Sequence, residues 1–598
     1  MRKIPIIYHI LSATKILLIF FALLVMSQDV LSVAHSGGIS DIAAALFPHN
    51  IYVIISFGAL TFLYVKAPKQ KHSLWESVVC FLFSGLLILG HSYEMIDSWD
   101  LAFGSVISLL LSVLTLFGLF FLMQSVLGWG KLLMQKLSRT EISLPKFWQK
   151  HPFLAPWAII FVCWLPYVLV RFPAALEFDA YRQIMQALGV LPFTAHSPPA
   201  SSFIMGLWVK IGYGLLGSYE LGLFLFVLFQ TTVCSAILAY TTLTMRRLSV
   251  PEVLQLISVG IYAVATIYSN YISTLVKDVL FSCLTVLFIA ILTEELFLPH
   301  SRKRCFALFG AAILMAIARN NGIFILIGCT FVGSLLCLMN IRHNRWTSLT
   351  VVLLAACIMH SIYSNALLPA LGVAEGPFAE VMSIPFQQTA RYVRDYPEDV
   401  TAEEAASIAA VIDYEHLGTL YDPDLSDPVK GTFTGDKTAL GPYLKTWLAQ
   451  FLRHPDAYLQ ATINNIYGFF YPNTENFVFY NGLINISDVQ FQDCTPLMPL
   501  RSALSYCVKL FESFPLTMPL SNTGFQMWVA IYLVFYALFG CKDKRYAFVM
   551  LPSLIGIAVC AASPTFFLNG VRYALPVIYA NPLLLSLCFR TQSKNALK

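Results

Sequence analysis

Long apolar blocks recur along the whole chain, and they constrain its fold more than any other feature. Many of them are about 17–25 residues long, the length of helix that crosses a bilayer core of roughly 30 Å. Hydrophobic residues make up 58% of the 598 residues and charged residues only 12%, whereas a soluble domain carries roughly 25% charged residues. Because this leaves too little polar surface for a large soluble core, the sequence predicts an all-α polytopic membrane protein.

About fourteen transmembrane helices are expected from these blocks. The first block, 6–26, is long and lacks a clean small-residue cleavage site, which favours a first span over a cleaved signal peptide. The predicted spans are roughly 6–27, 50–65, 75–93, 101–127, 154–171, 219–245, 251–275, 278–298, 305–319, 322–340, 346–368, 524–540, 546–562 and 566–588.

Lysine and arginine cluster in short segments between the spans, and this bias predicts orientation. Clusters at 2–3, 66–71, 131–150, 246–247, 302–304, 342–345, 542–545 and after 590 are predicted to be cytoplasmic, together with both termini. The stretch 200–217 would break this alternation as a span, so we expect an interfacial or re-entrant helix on the outer face. The net charge of +5 is modest and lies on loops, so it reports topology in a cell membrane and no nucleic-acid partner.

Four segments follow from this pattern. Residues 1–151 form an N-terminal membrane subdomain with four spans and a basic linker, and 152–368 form a core with an outer loop at 172–218. Residues 369–523 form one large extracytoplasmic domain, and 524–598 return to the membrane. The cysteines of the outer domain, Cys494 and Cys507, are expected either to pair or to remain free thiols. The chain has no CxxC pair and hence no such zinc or redox motif.

Two interruptions of the apolar pattern predict broken membrane structure. Lys277 and Asp278 separate two apolar runs, and the sequence Arg-Asn-Asn-Gly at 319–322 divides another. Non-helical backbone at membrane depth is tolerated only where protein or a water-filled cavity covers it. Both breaks are therefore expected to line a cavity that opens to the outside.

The outer loop after the fifth span carries four ionisable side chains. Glu177 and Asp179 can share a cation or divide the roles of base and supporting acid, or they can be ordinary solvated acids. Arg182 follows on the same predicted helix and is a candidate substrate contact, as is Asp278 further along the chain. His196 precedes two prolines, which hold it in an extended segment. It is either a substrate contact or a plain loop residue.

Three cations near the ends of apolar segments are candidate phosphate ligands. Lys277 either pairs with Asp278 or faces a lipid-linked phosphate. Arg319 is costly at membrane depth and by default marks a site. It either binds phosphate in a bidentate manner or pairs inside the protein. Arg572 either completes an anion site or reaches toward lipid headgroups.

The same predicted membrane side holds Asp179, Lys277, Arg319 and Arg572. An acid that removes a hydroxyl proton and cations that neutralise a departing phosphate are the two services that glycosyl transfer from a phosphate needs. This combination favours a glycosyl-transfer site over four unrelated side chains.

At this point the chain resembles the GT-C superfamily of polyprenyl-phosphate-sugar-dependent membrane glycosyltransferases, in a bacterial branch. The resemblance lies in six patches: FDAYRQIMQALG followed by HSPP, VKDVLFS, ARNNGIFIL, IPFQQTARYV, YDPDLSDPVKGTF and YGFFYPN. It implies a GT-C-like fold with interfacial helices in the first core outer loop, and Asp179 as the catalytic base. The sequence has Glu-x-Asp where the family commonly has other acidic motifs. The role of Glu177 is therefore open, and so is the binding of a divalent cation by Glu177 and Asp179.

The resulting hypothesis is a membrane enzyme that moves a sugar from a polyprenyl-phosphate donor to an extracytoplasmic acceptor. The acceptor is a cell-envelope glycan, a teichoic acid or a protein. One alternative is an O-antigen-ligase or polymerase-like enzyme on lipid-linked glycans, with key residues among Arg391, Arg394 and His416. The other is a non-enzymatic transporter of lipid-linked glycans, although no internal repeat supports it.

Overall fold

The computed structural model is built almost entirely from helices. It describes residues 3–47, 51–66, 71–176, 178–339, 344–473, 495–566 and 570–595. About 79% of the structure is helical, as the apolar pattern predicts.

The helices of the first half of the chain are α1 Lys3–Ser27, α2 Val30–Ser36, α3 Ile39–Ala45, α4 Ile51–Val65, α5 Leu74–Ile96, α6 Asp100–Phe103, α7 Val106–Arg139, α8 Lys146–Lys150, α9 Leu154–Val170, α10 Phe178–Leu188, α11 Pro199–Leu216, α12 Tyr219–Arg247, α13 Glu252–Val264, α14 Thr266–Ile272 and α15 Lys277–Phe297. Two short strands, β1 Ala175–Leu176 and β2 Thr274–Leu275, pair in parallel.

The helices of the second half are α16 Arg302–Ala318, α17 Gly322–Met339, α18 Asn344–Ile362, α19 Leu368–Ala370, α20 Ser383–Asp395, α21 Ala402–Ala409, α22 Leu417–Leu420, α23 Asp427–Lys430, α24 Leu440–Arg453, α25 Pro455–Ile466, α26 Met498–Ser513, α27 Met518–Ser521, α28 Thr523–Phe535, α29 Arg545–Ala561 and α30 Leu575–Asn595. Short 3-10 turns include Gly570–Tyr573, and π-helical turns extend α18 and α28.

Helices cover most of each predicted span. By length and composition, seven helices among the described residues can cross a membrane, or nine if each of two bent pairs counts as one span. The bent pairs are α1 with α2 and α13 with α14, and three further apolar helices are shorter, within α9, α29 and α30. This is a multi-pass, all-α membrane architecture, and the number fourteen stays a prediction.

Two compact units make up the chain. The first contains residues 1–136, 378–474 and 562–567, and the second contains 137–377, 475–561 and 568–598. The four segments proposed from the sequence stay a prediction.

Aromatic side chains form much of the core of the first unit. Phe386 of α20 and Tyr443 of α24 are fully buried and pack edge to face, with ring centroids 5.6 Å apart. Tyr93 of α5 stacks on Tyr467 with centroids 6.0 Å apart. The segment that the sequence assigns to the outer domain is helical here because apolar residues line one face of α20 and α24.

Helix α15 is the centre of the second unit. Most of its side chains are buried, and α12, α16 and α30 pack against it. A helix that is apolar all round is suited to such a position. The break at 319–321 lies between α16 and α17, as predicted. Gly322 is needed there because a Cβ would lie 2.5 Å from the carbonyl oxygen of Met315.

Helix α11 occupies the stretch that the sequence assigns to an interfacial helix. It is not among the candidate spans. One face, including Met205 and Val209, is buried, while Phe203, Leu207 and Leu215 are exposed. Since the exposed face is apolar, it suits the boundary between lipid headgroups and acyl chains.

Candidate functional site

The paired strands β1 and β2 bring two distant parts of the chain together. Ala175 lies opposite Thr274 and Leu176 opposite Leu275. Because the strands are parallel, the residues that follow them emerge on the same side. Helix α10 begins two residues after β1 and helix α15 begins two residues after β2. This places Asp179 and Lys277 at neighbouring helix starts.

Arg171 fixes this arrangement from the end of α9. Its side chain is buried, and Nη1 donates to the carbonyl oxygen of Asn270 at 3.0 Å and to Oγ of Ser273 at 3.1 Å. Nη2 donates to Oδ1 of Asn270 at 3.0 Å. Arg171 therefore ties the segment that leads to Asp179 to the turn that leads to Lys277.

Asp179 is held by two cations. Its Oδ2 lies 3.0 Å from Nζ of Lys277 and 2.8 Å from Nη1 of Arg572, which is in the 3-10 turn before α30. Neither of these bonds uses Oδ1, and 27% of the side chain is exposed. Burial raises the pKa of Asp179, but Lys277 and Arg572 lower it more, so that the pKa lies well below its ordinary value.

A second ion pair lies beside the first. Nη1 of Arg319 is 2.5 Å from Oδ1 of Asp278, and both side chains are buried. The guanidinium also lies 4.3 Å from the ring centroid of Tyr573 and 5.8 Å from that of Phe281. Arg319 thus forms the internal pair that the sequence left as an alternative to phosphate binding, and Asp278 pairs with it instead of with Lys277.

Chain neighbours link the two ion pairs into one cluster. Lys277 binds Asp179 while Asp278 binds Arg319. On the other side, Arg572 binds Asp179 while the ring of the adjacent Tyr573 covers Arg319. We call these residues, Asp179, Lys277, Asp278, Arg319, Arg572 and Tyr573, the outer cluster.

The loop that carries His196 borders the outer cluster. Thr194 pairs with Ala374 in an isolated bridge, and Asn320 of the 319–322 turn donates to the carbonyl oxygen of Ala195 at 3.1 Å. His196 is half-buried, and its electrostatic interaction also lowers the pKa of Asp179. The structure therefore brings His196 to the site.

The sequence also predicts Arg182 and Glu177 of this loop at the site. Arg182 is exposed on α10, three residues after Asp179, where it is close enough along the helix to reach a ligand of the cluster. Glu177 lies outside the described residues, and a cation held by Glu177 and Asp179 stays a prediction. Two cations already contact Oδ2 of Asp179, so a metal ion bound to that oxygen has to displace them.

The cysteine pair of the predicted outer domain is described in part. Cys507 is an exposed free thiol on α26, and Cys494 lies outside the described residues. The residues that the ligase alternative uses have local partners in the first unit. Arg391 and Arg394 both pair with Asp395, and His416 pairs with Asp413.

Sequence reasoning missed three residues that shape the outer cluster. Arg171 and Tyr573 have the roles described above. Arg501 of α26 is buried and donates to the carbonyl oxygens of Val170 at 3.1 Å and Phe172 at 2.6 Å, at the end of α9. The sequence signal for Arg171 was an arginine directly after an apolar run. Its partners could not be read from the sequence, because they lie about a hundred residues away.

In the described part of the chain, the main pocket does not lie at the outer cluster. A pocket of about 720 Å³ lies elsewhere, at the other ends of α17 and α29 from the 319–322 turn. Its lining residues include Leu336, Trp346 and Arg545. An outward-opening cavity at the cluster stays a prediction.

Comparison with known proteins gives one match. No curated protein and no solved structure matches the chain. The sequence model of a family described as a family of unknown function, DUF6020, matches residues 190–598. This range includes Lys277, Arg319 and Arg572 but begins after Asp179. Because the match spans more than half of the sequence, the chain belongs to the DUF6020 family.

Proposed function

We propose that the chain is a membrane glycosyltransferase of GT-C type that transfers a sugar from a polyprenyl phosphate to an acceptor on the extracytoplasmic face. The observation that carries this proposal is the pair of ionic contacts that hold the carboxylate of Asp179. Two cations orient the carboxylate through Oδ2, and its other oxygen is not used in either bond. A fixed carboxylate with an open oxygen suits a general base, which has to lie within hydrogen-bond reach of its proton.

The charge of the outer cluster favours an anionic ligand. Among the described residues, Lys277, Arg319 and Arg572 form ion pairs with two carboxylates, those of Asp179 and Asp278. Helices α10, α15, α17 and α30 begin within a few residues of these side chains. Helix N-termini carry partial positive charge and bind phosphate. One phosphate group would balance the excess cation.

The donor phosphate changes the state of the base. In the free enzyme, Lys277 and Arg572 keep the pKa of Asp179 low, which makes the carboxylate a weak base. A bound phosphate competes for the same two cations, because charge-assisted bonds from lysine and arginine to phosphate are strong. As these cations turn to the phosphate, the pKa of Asp179 rises. The base is strengthened only when the donor is present.

Bond changes follow from this arrangement. The acceptor oxygen forms a bond to the anomeric carbon while the bond from that carbon to the phosphate oxygen breaks. The electron pair leaves on the phosphate, where Lys277 and Arg572 neutralise it, and the acceptor proton passes to Oδ1 of Asp179. A single displacement of this kind inverts the anomeric configuration. Arg319 stays paired with Asp278 and adds positive charge beside the phosphate.

Further parts of the chain have roles that agree with this reaction. His196 and Arg182 contact substrate at the edge of the cluster. Helix α11, with its exposed apolar face, lies at the membrane surface and guides the lipid tail of the donor. With about fourteen spans, both termini are cytoplasmic in the plasma membrane. The acceptor is a cell-envelope glycan, a teichoic acid or a protein.

The test uses purified protein in vesicles with a panel of polyprenyl-phosphate hexoses and envelope acceptors. Asp179→Asn keeps the shape of the side chain and removes the base, so transfer should fall by about 10²- to 10⁴-fold. Asp413→Asn, an exposed acid paired with His416 in the other unit, is the matched control and should transfer normally. Full transfer by Asp179→Asn refutes the assignment. Donor binding by the native protein without any sugar transfer favours a transporter.

A further inference from the structure

The far end of α15 carries a cluster of a different kind. Glu295 is in the last turn of α15, His300 is in the following loop, and Cys305 is in the first turn of α16. The carboxylate oxygen, ring nitrogen and sulfur that these residues offer all lie within 4.8 Å of one another. We call this set the Glu295 cluster.

The donor atoms are close to the spacing of a tetrahedral metal site. Nδ1 of His300 lies 2.6 Å from Oε1 of Glu295 and 4.0 Å from Sγ of Cys305. Bond lengths of about 2.0–2.1 Å to nitrogen and oxygen and about 2.3 Å to sulfur put tetrahedral donors roughly 3.3–3.6 Å apart. The imidazole can move toward this spacing, since 44% of the His300 side chain is exposed, and the carboxylate oxygen and the sulfur lie within 4.8 Å of each other.

A bond from Arg304 already orients the carboxylate of Glu295. Nη1 of Arg304 lies 3.2 Å from Oε2 of Glu295, so that Oε1 is the oxygen that faces His300. The neighbouring Glu294 is neutralised by Arg247 at 2.8 Å and lies 3.6 Å from Arg304. Glu295 is buried, and outer-shell bonds of this kind fix a ligand's orientation.

We propose that Glu295, His300 and Cys305 form a binding site for Zn²⁺, with water as the fourth ligand. Imidazole, thiolate and one carboxylate are ligands that zinc takes. On binding, the thiol of Cys305 loses its proton, and the two negative ligands balance the charge of the ion. The bound ion links the end of α15 to the start of α16. The basic residues 302–304 assign this side of the membrane to the reducing cytoplasm.

Cobalt is the probe, because thiolate–Co²⁺ charge transfer reports sulfur ligation directly. Titration of the purified protein in detergent should give near-ultraviolet absorption that saturates at one equivalent and is displaced by Zn²⁺. Cys305→Ser should abolish this band. His300→Ala should raise the Kd by at least about tenfold, since the loss of even an outer-shell partner costs roughly 10- to 100-fold. Cys337→Ser, a half-buried thiol outside the cluster, should leave the titration unchanged.

Several outcomes overturn the proposal. They are a cobalt spectrum without the sulfur band, a band that survives Cys305→Ser, and an affinity unchanged in His300→Ala. Thermal unfolding gives a second measurement: Zn²⁺ should raise the midpoint of the native protein and of Cys337→Ser, but not that of Cys305→Ser. None of these readouts depends on glycosyl transfer.

Discussion

The two ends of α15 hold charged clusters with opposite preferences. At the Lys277 end, three cations face two carboxylates, and Asp179 is partly exposed. At the Glu295 end, two buried carboxylates pair with Arg247 and Arg304 and lie beside a thiol and an imidazole. The first arrangement suits an anion and the second suits a cation. An excess of cations marks the proposed phosphate site at one end of the helix, whereas the sulfur and nitrogen donors of Cys305 and His300 mark the proposed metal site at the other.

The largest effect is expected from breaking the buried pair at the Lys277 end. Arg319→Ala leaves the fully buried carboxylate of Asp278 without its cation. Loss of one partner of a buried ion pair costs about 3–5 kcal/mol of unfolding free energy. Denaturation of the purified protein in mixed detergent micelles measures this loss.

The matched control for Arg319→Ala removes both charges. Arg319→Met combined with Asp278→Leu replaces the pair by apolar side chains, and such replacements are often neutral or stabilising. The double variant should recover most of the lost stability while lacking one cation of the outer cluster. If Arg319→Ala is as stable as the native protein, the pair does not hold the cluster together.

A smaller effect is expected from Arg171, which joins the two segments of the site. Arg171→Met leaves the buried carbonyl oxygen and Oδ1 of Asn270 without these donors. The cost for unfilled buried acceptors is about 1–3 kcal/mol. Turnover per folded molecule should fall as well, because Asp179 and Lys277 lose their common anchor.

Arg247→Met at the Glu295 end separates stability from activity. This change also removes a charged partner of a buried carboxylate, that of Glu294. Glu294 is at the end of α15 that is remote from Asp179. Comparable destabilisation with normal turnover per folded molecule is expected. Equal losses of turnover in both variants would show that Arg171 acts through general stability alone.

Sequence reasoning reached the helices and the charged members of the outer cluster, but not their pairing. Span length and charge bias are local properties, and they sufficed to place Asp179, Lys277, Arg319 and Arg572 on one predicted side. The choice of partners depends on the register of β1 and β2, two strands separated by about a hundred residues that carry no pattern of their own. For this reason the sequence alone leaves an ion pair between Lys277 and its neighbour Asp278 as one alternative.

The same limit applies at the other end of α15. A search for CxxC finds no zinc motif, because the Glu295 cluster uses one cysteine and a turn between two helices. The spacing of Glu295, His300 and Cys305 follows no short motif. Only the folded turn shows that their donor atoms converge.

The smallest effect concerns pH and compares two carboxylates in different units. Lys277 and Arg572 lower the pKa of Asp179, whereas burial, with the nearby Asp97 and Asp422, raises the pKa of Asp424 to about 7. A lowered pKa gives stability that is present above the unfolded value of about 3.9 and lost as pH falls toward the folded value. A raised pKa gives stability that is present below about 3.9 and lost as pH rises toward about 7.

Asp424→Asn should therefore flatten the decline of stability between pH 5 and 7, and Asp179→Asn should reduce the loss in acid below about pH 4. Thermal unfolding midpoints from pH 3 to 8 measure both effects. Lys277→Met sharpens the comparison: without this cation, the pKa of folded Asp179 rises toward the unfolded value, so the stability lost in acid is smaller and the loss is complete at a higher pH. An unchanged acid limb in Lys277→Met would mean that Lys277 does not set the charge of the proposed base.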